Sequence, residues 1–139
     1  MNAKTWLGRA RRIDAEIAAL MEAREKMLAI VTKVTQTLTG DVVQSTKDPH
    51  KFDRVAEMDS TIFQRVDELN ETKIEILRGI SKLKDGRYRE VLIRRYVTMQ
   101  TFSTIAGDMN FSERQILRLH GRALLKMEEV LNELQKDHP

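Results

Sequence analysis

The 139 residues predict an all-α fold, a long coiled-coil-like helical hairpin followed by a compact helix-turn-helix unit. Three observations carry that expectation. Apolar residues recur every seven positions through most of the first 83 residues, the spacing of a seam between packed helices. The composition, 41% hydrophobic and 32% charged, is that of a folded, helix-prone chain. Finally, IAGDMNFSERQILRLHGRAL at 105–124 reads as the end of a short helix, a turn, and the start of a second helix with an arginine-bearing face.

The first element runs from about Ala3 to Thr35 or a little beyond. Trp6, Ile13, Leu20, Met27 and Val34 form one row of its seam, and Ala10, Ile17, Arg24, Val31 and Leu38 a second, offset by four. TGDVVQSTKDP then loses the period and collects loop formers. A second helix is predicted to start at Asp48, whose carboxylate can accept from the free N–H groups of the first turn, with Pro49 where its missing N–H costs nothing. Its rows are Val55, Ile62, Leu69, Ile76 and Leu83, and Phe52, Asp59, Val66, Lys73 and Ile80. Arg24, Asp59 and Lys73 interrupt the seams, as polar residues that fix register or partner number do. Two long helices joined by one loop make an antiparallel hairpin or a coiled-coil dimer; residues 1–84 are read as the hairpin, for oligomerisation or partner contact, and residues 85–139 as a separate domain.

Gly86 in LKDGRYRE is the expected break. Three shorter helices follow, over about 87–97, 102–109 and 113–135. The first offers Val91, Leu92 and Tyr96 to a core and turns Arg94 and Arg95 outward. In the second, Thr101 caps, and Phe102, Ile105, Ala106 and Met109 form a narrow apolar stripe. Ala106 is small enough for two helices to cross closely four residues before the turn. Asn110 sits where the turn demands positive φ, which Asn tolerates best after Gly. Ser112-Glu113-Arg114-Gln115 fits a capping box, with the Ser112 hydroxyl on the Gln115 N–H and the Gln115 side chain reaching back to Ser112. Ile116, Leu119, Ala123, Leu124 and Met127 then make a buried stripe. This leaves Glu113, Arg114, Gln115, Arg118 and Arg122 outside, and arginine and glutamine carry the forked donors that fit guanine and adenine edges in the major groove.

Charge is distributed to match. Residues 86–126 hold eight basic side chains against three acidic, a local +5, so the rest of this +3 chain is net negative at −2. Seven of the eight are arginine, suited to bidentate contact with phosphate and guanine. The pattern excludes other classes. No run approaches the ~18 apolar residues of a membrane span, and the N-terminus lacks a signal-peptide core, so a cytoplasmic protein is expected. The absence of cysteine excludes disulfides and thiolate metal sites. His50, His120 and His138 are too dispersed for a metal site, and no phosphate-cradling glycine loop, HExxH or nucleophile-elbow serine occurs. Neither catalysis nor a cofactor is expected.

From about Leu83 to Leu134, YREVLIRRYV and TFSTIAGDMNFSERQILRLHGRALLKM resemble region 4 of the sigma-70 superfamily, which binds the −35 promoter element. More narrowly, RLHGRAL behind a long helical segment is similar to small phage and prophage proteins with a region 4-like domain, related to late transcriptional regulators of the ArpU and RinA types. The resemblance implies double-stranded DNA as partner, contacts at Glu113, Arg114 and Arg118, and Arg122 turned toward phosphates. With Ser112 and Gln115 of the cap, these residues are the candidate DNA-binding set. Gly121 departs from the pattern by weakening the last helix locally. The seven scattered aromatics do not form the base-stacking cluster that opening a −10 element needs. The expectation is thus a sequence-specific promoter-binding regulator whose hairpin forms a homo-oligomer or touches RNA polymerase. Two alternatives are a phage small terminase subunit that recognises packaging sites on DNA, and a polymerase-binding adaptor without DNA binding.

Overall fold

The computed structural model describes residues 2–37 and 52–136, and all regular structure among them is helical. The helices are α1 (Ala3–Leu7), α2 (Arg9–Thr37), α3 (Asp53–Ile80), α4 (Gly86–Leu92, continued by a wider π-helical turn over Ile93–Val97), α5 (Phe102–Met109) and α6 (Glu113–Lys136). The predicted loop after Thr37, the Asp48 start and the seam position Leu38 fall outside the described residues, as do His50 and His138, and Val34 outside the described side chains. No helix among the described residues is long and apolar enough to cross a membrane.

Contacts divide the chain into two compact units, one of residues 1–12 with 69–139, the other of residues 13–68. The boundary expected at 84/85 lies inside the first unit.

In the second unit α2 and α3 run antiparallel, because ion-pair partners descend along one helix as they ascend along the other. Arg24 grips Asp59 with Nε on one carboxylate oxygen and Nη2 3.3 Å from the other, and Glu16 meets Arg65 at 3.1 Å. The seam residues Arg24 and Asp59 thus satisfy each other and set the register. Ile17 and Val55 are buried, whereas Ile13, Leu20, Val31, Ile62 and Val66 are half-buried and Phe52 is exposed. Two helices shield only one stripe of each other, so the flanks of the seam stay wet.

The first unit is built around α6, which packs against α1, α4 and α5. Leu7, Ile76, Ile80, Val91, Leu92, Ile105, Ile116 and Met127 are its largest fully buried side chains. The first helix is not continuous as predicted: it stops at Leu7, and α2 begins at Arg9. Glycine has low helix propensity, and Gly8 donates to the Lys4 carbonyl at 3.0 Å while Arg9 Nε donates to the Trp6 carbonyl at 3.0 Å, which closes the turn. The break folds Trp6 over α3 at Gly79, where an added Cβ would lie 2.6 Å from the indole and 2.9 Å from the Met127 methyl. Arg9 covers the indole at 4.9 Å and pairs with Glu75 at 3.5 Å.

The break expected at Gly86 also differs. The turn spans residues 81–85, and Gly86 is the first residue of α4. Asp85 supplies the cap, accepting the Arg87 N–H at 2.8 Å, and the Arg87 guanidinium, followed by this backbone bond, holds its carboxyl below the usual carboxylate range.

Candidate nucleic-acid interface

Thr101 opens α5 by accepting the Thr104 N–H at 3.2 Å. The helix ends at Asn110, in the left-handed region at φ 59° and ψ 40°. From there Phe111 N–H reaches the Ala106 carbonyl at 3.0 Å, and α6 begins three residues after Asn110. Ser112 Oγ then accepts the Gln115 N–H at 3.1 Å while Gln115 Oε1 accepts the Ser112 N–H at 2.8 Å, the reciprocal cap expected from the sequence. Ile105 and Ala106 of α5 are buried with Ile116, Leu119 and Ala123 of α6. Leu124, read as part of that stripe, is only half-buried.

Arg94 and Arg95 do not face outward. The π-helical turn inserts one residue into the end of α4, with Thr98 N–H on the Ile93 carbonyl at 3.0 Å, and it closes through Met99 at φ 62°. The extra residue rotates the following side chains. Arg94 bridges Glu90 at 2.8 Å and Asp108 at 3.1 Å, and Gln100 also donates to Asp108 at 3.2 Å, bracing α4 against α5. Arg95 lies 4.1 Å over the Phe102 ring and donates to the Gln100 carbonyl at 3.1 Å. Tyr96 turns inward, and its hydroxyl is 2.8 Å from His120 Nε2. His120 is buried, with the Phe102 ring edge-on at 4.9 Å. Burial, helped by Arg95 and Lys4, lowers its pKa to about 4, so the imidazole is neutral at neutral pH.

The candidate residues Ser112, Glu113, Arg114, Gln115, Arg118 and Arg122 are all exposed. They fall into two kinds. Ser112 and Gln115 are engaged in the cap, which fixes the Gln115 amide oxygen toward the backbone. Glu113, Arg114, Arg118 and Arg122 have no side-chain hydrogen bond or ion pair among the described residues. The other basic residues of 86–126 are committed within the fold. Besides Arg94 and Arg95, Arg89 donates to the Leu83 and Lys84 carbonyls at 2.5 and 3.1 Å, Arg87 pairs with Asp85 at 3.3 Å, and Lys126 with Glu129 at 3.6 Å.

Gln115, Arg118 and Arg122 line one shallow groove together with Phe111 and Arg87. Arg87 is the member sequence reading left out. Its signal was its place two residues after the Asp85 cap, but only the packing of α4 on α6 brings it beside Arg118. Leu117 and Leu125 are also exposed on α6, at 49% and 65%. Comparison with known protein families, curated proteins and solved structures finds no match to this chain.

Proposed function

We propose that this chain is a sequence-specific DNA-binding transcription regulator of phage or prophage origin, acting at promoters through a region 4-like helix-turn-helix formed by α5 and α6. The supporting observation is the segregation of arginines. Within 86–126 those that brace the fold have partners, whereas Arg114, Arg118 and Arg122 stand exposed, with no partner among the described residues, on one helix that a sharp cap holds in place. An exposed cation without a partner contributes little to folding. Three on one helix face form a surface ready for phosphates and base edges. Self-association through the hairpin belongs to the same reading, supported by the exposed Met21, Ile30 and Phe63 of the second unit.

Arg118 and Arg122 divide the task. Arg118 lies about two turns from the Ser112 cap, within reach of bases, and Arg122 one turn further, where a recognition helix meets the backbone. Arg118→Ala is expected to lose roughly 1 to 3 kcal/mol on a site selected from random duplexes and little on scrambled DNA. Arg122→Ala is expected to weaken both alike and to flatten the salt dependence by about one phosphate contact. Binding to both duplexes at several salt concentrations measures this. Equal losses from both variants on both DNAs would leave only a generic basic surface. No loss from either would move the function to protein binding, which the exposed Leu117 and Leu125 would then serve.

A further inference from the structure

The far flank of α6 carries a second cluster of cations that the helix-turn-helix does not use. A small cavity there has Tyr96 and His120 at its floor and Phe102 and Leu117 in its walls. Three cations from three segments meet at it: Lys4 of α1, Arg11 of α2 and Arg95 of the π-helical turn. All belong to the first unit. No carboxylate among the described residues lines the cavity. Lys4 and Arg11 are exposed, and their side chains make no hydrogen bond or ion pair among the described residues. Arg95 spends one N–H on the Gln100 carbonyl and has its guanidinium pK lowered, first by burial and then by Arg11. Like charges gathered at a concavity without a counter-charge repel one another, and an anion entering there relieves the repulsion.

The position on α6 selects the anion. By helical periodicity Leu117 and His120 lie on the flank opposite Gln115, Arg118 and Arg122. A helix with side chains is about 10–12 Å across and a DNA major groove about 12 Å wide, so cations on opposite flanks of an inserted helix face the two phosphate strands that border the groove. We propose that this cavity receives a phosphate of the DNA backbone, so that Lys4 and Arg11, a hundred or so residues from the recognition helix, belong to the DNA interface. The inference rests on the DNA-binding reading above and adds the N-terminal segment to it.

Lys4→Ala, Arg11→Ala and the double variant test it, by anisotropy on a selected duplex and on a duplex of mixed sequence at several salt concentrations. Both side chains are exposed and have no partner among the described residues, so circular dichroism is expected to match wild type and melting to be no lower. The double variant is expected to weaken both duplexes alike and to make the slope of log K against log salt shallower by up to about 0.9, the worth of one phosphate contact. Arg11→Glu is expected to weaken both duplexes further than Arg11→Ala. Wild-type binding with an unchanged slope in the double variant would overturn the inference and leave the DNA reading standing. No duplex binding by wild type would overturn both. Inorganic phosphate that shifts the His120 ring resonances in wild type but not in the double variant, with the DNA slope unmoved, would make the cavity a free-anion site and also overturn it.

Discussion

Two glycines show how a single missing methyl can mean opposite things. Gly121 lies exposed on α6, and a Cβ there would meet nothing within 4 Å. Gly79 is buried, and its Cβ would strike the rigid Trp6 indole. Gly121→Ala is therefore expected to stabilise the chain by about 0.5–1 kcal/mol, through helix propensity and a less flexible unfolded chain. Gly79→Ala is expected to cost about 1–3 kcal/mol by overpacking. Urea midpoints of the two variants check the pair, and equal signs would contradict the packing described around Trp6. The helix α6 runs unbroken through Gly121, so the local weakness there does not interrupt it.

At the scale of the element, the start of α6 separates folding from recognition. Ser112→Ala removes an acceptor from the first turn and is expected to cost about 1 kcal/mol. Gln115→Glu keeps the reciprocal cap, since a carboxylate oxygen accepts the Ser112 N–H equally well and a negative charge suits a helix N-terminus. It also removes the amide donors and sets an anion beside Arg118. Gln115→Glu is thus expected to melt no lower than wild type yet to bind DNA more weakly, and a parallel loss of stability and binding would show that the two roles are not separable. Helix-by-helix reading worked here because caps are local: Thr101, Asn110 and Ser112 act on backbone groups within three or four residues. It worked less well at Gly8 and at the end of α4. The π-helical turn and the inward rotation of Arg94 and Arg95 answer to long-range partners on α5, Asp108 and the Phe102 ring, that no local pattern announces.

At the scale of the whole molecule, the buried His120 ties stability to pH. Its pKa, about 4 in the folded state against 6.5 ordinarily, means that between these values the unfolded chain binds a proton that the folded chain refuses. Stability is therefore complete above about pH 6.5 and falls as pH drops toward 4, by up to roughly 3 kcal/mol from this group. Lys4, Arg95 and the lining Arg11 add positive potential around the ring and act in the same direction as burial, or oppose protonation further. Urea unfolding from pH 4 to 7, compared between wild type and His120→Leu, checks this: the variant is less stable at pH 7 but is expected to lack that part of the slope, and identical slopes would refute it.

Taken by itself, the sequence determined that the fold is helical, where α5 begins and ends and α6 begins, and that Glu113, Arg114, Arg118 and Arg122 face outward. Those properties follow from backbone hydrogen bonding and 3.6-residue periodicity, both readable within a few positions. Tertiary structure alone decided that Arg94 and Arg95 brace the fold while Arg118 and Arg122 have no partner among the described residues. It also decided that Arg87 joins the α6 groove, and that Lys4 and Arg11 meet Arg95 at one cavity. An arginine has the same local pattern whether it pairs or waits for a partner. What distinguishes the two is the position of carboxylates, carbonyls and rings contributed by other helices, and that is settled only when the helices pack.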